Sequence, residues 1–247
     1  MASVHIDIED DPATHKHSKD TIIDDFMYNN NVAQANVYIR MGFLRKVYGI
    51  LSIQLLFTIL VTSICVFTPV IRLYVYNNEW LLTLAMFMSF VLLIAMMIKR
   101  RQAPINYILL LAFTICQAYS ITVVVTLYDQ IVVLEAFLLT FVVTASLTIY
   151  TFQSKRDFSS WHASLFSVLM ILICASFMQL FFWNTYLDVA ISIVGAIVFS
   201  LFIVYDTHMI IHRVSPEEYI MASIELYLDI INLFMYLLRI LGAARKN

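Results

Sequence analysis

The chain has 247 residues, 62% of them hydrophobic and only 13% charged, against roughly half and a quarter in an ordinary soluble domain. Fifteen basic and 17 acidic residues leave a net charge of −2, which points to no polyanionic or polycationic partner. The composition excludes a disordered chain, a nucleic-acid binder and a soluble enzyme; the length holds one domain, and the excess apolar surface must face lipid.

Residues 1–39 differ from the rest. Asp7, Glu9, Asp10, Asp11, Asp20, Asp24 and Asp25 make this stretch acidic. It lacks the basic start and apolar core of a cleavable signal, so it reads as a mobile, soluble tail. His5, His15 and His17 lie in it at no regular ligand spacing. From Arg40 onward, residues 40–247 form apolar run after apolar run. A bilayer core takes about 20 apolar residues as helix. Seven runs qualify: 47–71, 80–98, 105–128, 131–151, 161–183, 186–211 and 219–241. Backbone polar groups must be satisfied inside lipid, so the runs are helices, and no strand-like alternation suits a barrel. The predicted fold is an all-α membrane protein, a seven-helix transmembrane bundle.

Connections as short as Asp129-Gln130 and Asn184-Thr185 make sequential neighbours antiparallel and leave no extramembrane domain to carry chemistry. Arg40, Arg45 and Lys46 precede the first run. Lys99, Arg100 and Arg101 follow the second, Lys155 and Arg156 the fourth, and Arg213 the sixth. The alternate connections hold only Arg72, which places the N-terminus in the cytosol. Arg245 and Lys246 then fall on the far side, unless the last run enters the membrane and returns. Cys65, Cys116 and Cys174 are widely spaced within apolar runs and read as packing residues.

A charge at membrane depth is costly and marks a functional candidate. Glu135 and Asp188 lie near run starts, and Arg239 near a run end, where interfacial placement explains them. Asp206, Glu225 and Asp229 remain. Asp206 lies about 9 Å inside the cytosolic end of its helix, and Asp229 lies near mid-membrane. Glu225 stands four residues before Asp229, on the same helical face. One reading is structural: each acid pairs with a basic group or hydrogen-bonds to a neighbouring helix, and Lys99, Arg100 and Arg101 end the second run on the Asp206 side. The other is a proton-controlled cation site. Neighbouring carboxylates in a poorly solvated place cannot all ionise cheaply, and unprotonated they offer the hard oxygen ligands that Ca²⁺ prefers. Ser215-Pro216-Glu217-Glu218 reads as a helix N-cap with a capping-box Glu. Counted from it, Asp229 lies about 10 Å deeper than Asp206, so the two meet only if the last helix first runs along the interface. His208 and His212, four apart, lack a third ligand for zinc.

At these residues the sequence resembles the transmembrane Bax inhibitor motif, or lifeguard, family. The likeness rests on Ile203-Val204-Tyr205-Asp206-Thr207, Ser215-Pro216-Glu217-Glu218-Tyr219 and Leu226-Tyr227-Leu228-Asp229-Ile230-Ile231-Asn232-Leu233-Phe234. Ile39-Arg40-Met41-Gly42-Phe43-Leu44-Arg45-Lys46-Val47-Tyr48 and Thr151-Phe152-Gln153-Ser154-Lys155-Arg156-Asp157-Phe158 extend it. The resemblance implies that six helices surround a central last one. It implies a pH-sensitive Ca²⁺ leak from intracellular stores, Golgi and endoplasmic reticulum, that protects against apoptosis. It needs no cofactor beyond Ca²⁺ as the permeant ion. The family's paired aspartates fall on Asp206 and Asp229, which are then also the candidate Ca²⁺ ligands. Its arginine latch falls on Arg100, with Lys99 or Arg101 one residue away. Glu225 departs from the small polar residue expected there, and Glu135 matches an acid in some relatives. A second reading is a non-conducting regulator that binds intracellular Ca²⁺-release channels or apoptosis regulators. A G-protein-coupled receptor fits poorly with a cytosolic N-terminus and short loops. No nucleophile and base are legible for an intramembrane protease.

Overall fold

The computed structural model describes residues 37–78, 80–179, 181–182 and 184–246. The tail expected over 1–39, with its three histidines, lies outside them but for its last three residues. Among the described residues eight α-helices follow in order: α1 Val37–Phe67, α2 Pro69–Asn77, α3 Trp80–Lys99, α4 Ile105–Val125, α5 Gln130–Gln153, α6 His162–Gln179, α7 Thr185–His212 and α8 Tyr219–Lys246. Short 3₁₀ turns, Ser159–Trp161 and Pro216–Glu218, precede α6 and α8. No strand occurs among the described residues. Seven of the helices are long and apolar enough to cross a membrane, and the protein is an integral membrane protein of the all-α class.

The helices differ from the apolar runs at informative places. The first run, 47–71, contains a break. Thr68 is extended, with φ −105° and ψ 104°, and Pro69 opens α2 at its first helical position. The residue before a proline is pushed out of the helical region, and proline then suits a new helix start. At the other end α1 continues back past Lys46, Arg45 and Arg40. Its 31 residues span about 46 Å, more than the roughly 30 Å of a hydrocarbon core. Counting apolar residues finds the lipid edge, not the helix end. The α6 helix stops at Gln179, short of the expected 183, whereas α8 continues past the expected 241.

Many of the buried threonines in these helices find a partner within their own helix. The hydroxyls of Thr58, Thr114, Thr122, Thr140 and Thr151 donate to the carbonyl four residues back, at 2.7–2.8 Å, which hides them from lipid. Some also reach across helices. Gln54 Nε2 of α1 donates to Thr114 Oγ1 of α4 at 3.1 Å, and the Thr58 and Tyr227 hydroxyls of α1 and α8 lie 2.9 Å apart. These links supply the specificity that apolar contact alone cannot give between helices in lipid.

The last helix is central. Its main neighbours are α1, α5 and α7, with α4 touching it more lightly, while α3 packs chiefly on α4 and α6 chiefly on α7. Ile220, Ala222, Ile224, Leu226, Tyr227, Leu233 and Leu238 of α8 are all about 1% exposed or less. By contrast α3, α5 and α6 turn large apolar side chains outward, among them Phe87, Phe141 and Ile171, as lipid-facing surfaces do. The α8 helix is unbroken from Tyr219, whose hydroxyl accepts from Tyr107 at the start of α4, to Gly242, which abuts the Tyr128 ring between α4 and α5. It therefore crosses the whole bundle rather than turning back. Arg72 of α2 closes the same far end by donating to the Thr126 carbonyl at 2.8 Å, a cation at a helix C-terminus.

Candidate functional site

Helices α7 and α8 form an antiparallel hairpin joined by residues 213–218. Its register is set where Gly195 of α7 meets the Tyr236 ring of α8. That register puts Asp206 opposite Glu225, with Asp229 one turn deeper, about 6 Å. The offset is smaller than the sequence count, and no run along the interface is needed. Side chains of a helix lean toward its N-terminus. Asp206 therefore leans away from the basic end, and Asp229, on the opposed helix, leans toward it. The two carboxyl groups approach closely enough to interact directly. Two carboxylates offer only acceptors, so a hydrogen bond between them requires a shared proton. Asp229 is 6% exposed and its Oδ2 is buried without a partner.

Around the pair the charge is mostly negative. Glu225 is exposed on α8 and close enough to act on both aspartates. No basic side chain forms an ion pair with Asp206, Glu225 or Asp229 among the described residues. The basic group that reaches Asp206 electrostatically is His162, on the first turn of α6. Its Nδ1 lies 3.2 Å from the Tyr205 hydroxyl, so His162, Tyr205 and Asp206 form a polar line from an exposed imidazole toward the pair. The sequence offered one signal for it: a histidine at the start of an otherwise apolar helix.

The arginine latch is not on the aspartates. Arg100 Nη1 pairs with Glu218 Oε1 at 3.2 Å, and Arg101 reaches Glu218 at 3.3 Å and Glu217 at 3.6 Å. The basic end of α3 thus holds the turn before α8. The capping box is not formed: Ser215 stands at the N-cap position but makes no side-chain cap, the Glu218 N–H donates to the Ser215 carbonyl at 2.9 Å, and the Glu218 carboxylate faces the arginines. Lys46 Nζ sits 3.4 Å over the Tyr219 ring, which ties α1 to the same turn. Glu135, exposed in the first half of α5, stands at the far end and is not brought to the pair.

Comparison with known proteins then identifies the family. The family described as "Inhibitor of apoptosis-promoting Bax1" matches residues 40–246. The chain belongs to this Bax inhibitor family. It is similar to protein lifeguard 4 of Mus musculus, 44% identical over 94% of this chain and 97% of that protein. It is also similar to the Golgi anti-apoptotic protein of vaccinia virus (strain Lister), 46% identical over 92% of this chain and 96% of that one. Bax inhibitor 1 of Schizosaccharomyces pombe is 40% identical over 91% of this chain and 85% of its own length.

In this Bax inhibitor bundle the pair is a poor cage for a resident metal. Among the described residues no group of three or more His, Cys, Asp or Glu side chains converges as a metal ion needs. Asp206 and Asp229 offer two carboxyls where Ca²⁺ takes 6–8 oxygens. They can exchange protons or hold a cation briefly with water as the remaining ligands. His208 and His212 hold no zinc set either: His208 Nε2 faces Asp157 at 3.7 Å, and His212 Nδ1 lies 3.0 Å from the His208 carbonyl.

Asp157 lies outside the spans, between α5 and α6. Hydrogen bonds from the Ser159 side chain and backbone, then the charges of Arg213 and His208, hold its carboxyl below the usual carboxylate range. A depressed value means that its stabilising effect is complete above the ordinary carboxylate range and is lost only as pH falls through the lower folded value. The Asp157–Arg213 contact is therefore expected to stay constant from pH 7 to 8, above the ordinary imidazole range of His208, which also faces Asp157 at 3.7 Å. Melting curves of Asp157→Asn and the parent should differ by the same amount throughout that window. A difference that grows or shrinks between pH 7 and 8 would contradict this.

Proposed function

We propose that the protein is a proton-sensitive Ca²⁺ leak of Golgi and endoplasmic-reticulum membranes that lowers store Ca²⁺ and inhibits apoptosis. Asp206 and Asp229 are its cation and proton site, and the basic end of the bundle faces the cytosol. The observation that carries this reading is the meeting of two carboxyls from α7 and α8 deep in the bundle, with no ion-paired cation to neutralise them. Such a pair accepts a proton or a divalent cation, and each displaces the other. Few fixed ligands suit passage better than storage, because a permeant ion must leave as readily as it enters. The printed name of the vaccinia relative, Golgi anti-apoptotic protein, supports the compartment and the cellular outcome. Glu225 adds a third carboxyl beside the pair.

The test is store content. Cells producing the protein should show lower resting Ca²⁺ in indicator-loaded Golgi and reticulum, and cells producing Asp229→Asn at equal abundance should not. Equal lowering by both would remove the pair from the mechanism and favour a regulator that acts by binding Ca²⁺-release channels or apoptosis regulators.

A further inference from the structure

A second polar feature lies at the basic end, apart from the aspartate pair. The end of α5, the turn before α6 and the end of α7 enclose a cleft of about 440 Å³. Lys155, Arg156 and Arg213 bring three positive charges to it, and Asp157 one negative. Arg213 Nη2 pairs with Asp157 Oδ2 at 3.5 Å. Lys155 and Arg156, both exposed, form no ion pair among the described residues.

The floor carries two histidines. The His208 and His212 rings stack with centroids 4.4 Å apart. His212 directs Nδ1 at the His208 carbonyl, which leaves its Nε2 for a ligand. His208 is 4% exposed and turns its Nε2 to Asp157 at 3.7 Å. The cleft is thus concave, carries a net charge of two with neutral histidines, and keeps the donors of Lys155 and Arg156 and the Nε2 of His212 for a ligand.

That net charge repels a metal ion and exceeds what one carboxylate would balance. A phosphomonoester carries about −1.5 to −2 at neutral pH, with three acceptor oxygens. Arginine and lysine bind it through charge-assisted hydrogen bonds. The cleft also lies between spans at their basic end, and basic pockets between transmembrane helices take phosphorylated headgroups.

We propose that this cleft binds a phosphorylated polyol headgroup, the chemistry shared by phosphoinositide lipids and free inositol phosphates. The test uses the full chain in phosphatidylcholine nanodiscs and a fluorescent short-chain phosphoinositide bearing two phosphomonoesters. Lys155→Gln/Arg156→Gln, on an exposed turn, is expected to weaken binding at least about tenfold, the scale of losing charge-assisted contacts. Arg40→Gln/Arg45→Gln removes the same charge from outside the cleft and is expected to leave affinity within about twofold, near the effect of a lone exposed charge. Unlabelled inositol trisphosphate competing as well as the lipid would assign a soluble source; competition only by phosphoinositide lipid would assign the membrane. The proposal is overturned if the probe does not bind, if both double variants lose affinity equally, or if phosphatidylserine at matched charge competes as well.

Discussion

Replacing Gly195 with leucine is expected to destabilise the bundle by about 3 kcal/mol or more, the upper range for overpacking a filled interior. A Cβ on Gly195 would stand 2.6 Å from the Tyr236 ring carbons, well inside normal contact. The ring cannot simply swing aside, because it stacks on Phe199 with centroids 5.7 Å apart and planes 24° apart. Relief requires α7 and α8 to part. That would also separate Asp206 from Asp229, about three turns nearer the basic end. The melting temperature should fall on the order of 10 °C for a chain of this size. Gly49→Ala is the control. Nothing lies within 4 Å of a Cβ there, and alanine is favoured over glycine within a helix by about 1 kcal/mol. A Gly195→Leu protein as stable as the parent would refute the close α7–α8 packing.

The aspartates are expected to be coupled. Asp206→Ala leaves Asp229 buried with neither oxygen satisfied, and Asp229→Ala leaves Asp206 facing a cavity. Each should cost on the order of 1–3 kcal/mol, the cost of an unsatisfied buried polar group. The double variant removes both groups, so its cost should fall short of the sum by about 1 kcal/mol or more, as for residues in direct contact. Unfolding of the four proteins in one detergent measures this. Additive costs would mean that the two carboxyls do not interact.

Most of the fold was legible in the sequence, because hydropathy over about 20 residues reports the lipid environment directly. Helix boundaries were less so. Lys46, Arg45 and Arg40 end an apolar run without ending a helix, and Pro69 ends a helix within an apolar run. The meeting of Asp206 and Asp229 followed from the family likeness, not from depth counting, which placed them too far apart. Counting rise along two helices ignores the hairpin register and the opposite lean of side chains on antiparallel helices. The partner of Arg100 was misplaced for a related reason. Several acids stood near the basic end, and only the three-dimensional course of residues 213–218 selects Glu218 over Asp206. For His162 the local signal, one histidine at the start of an apolar helix, does not name its neighbours, because α6 and α7 make that neighbourhood together.

Ca²⁺ flux into liposomes holding only the purified protein, from pH 6 to 8, tests the proton-gated leak most directly. The parent should conduct with a marked dependence on pH. Asp206→Asn and Asp229→Asn, shown to be folded by their melting curves, should lose flux or show a flattened pH profile, because each removes one of the two groups that exchange protons with the cation. Flux absent at every pH in folded parent protein, or variant profiles that superimpose on the parent, would contradict a leak gated by this pair.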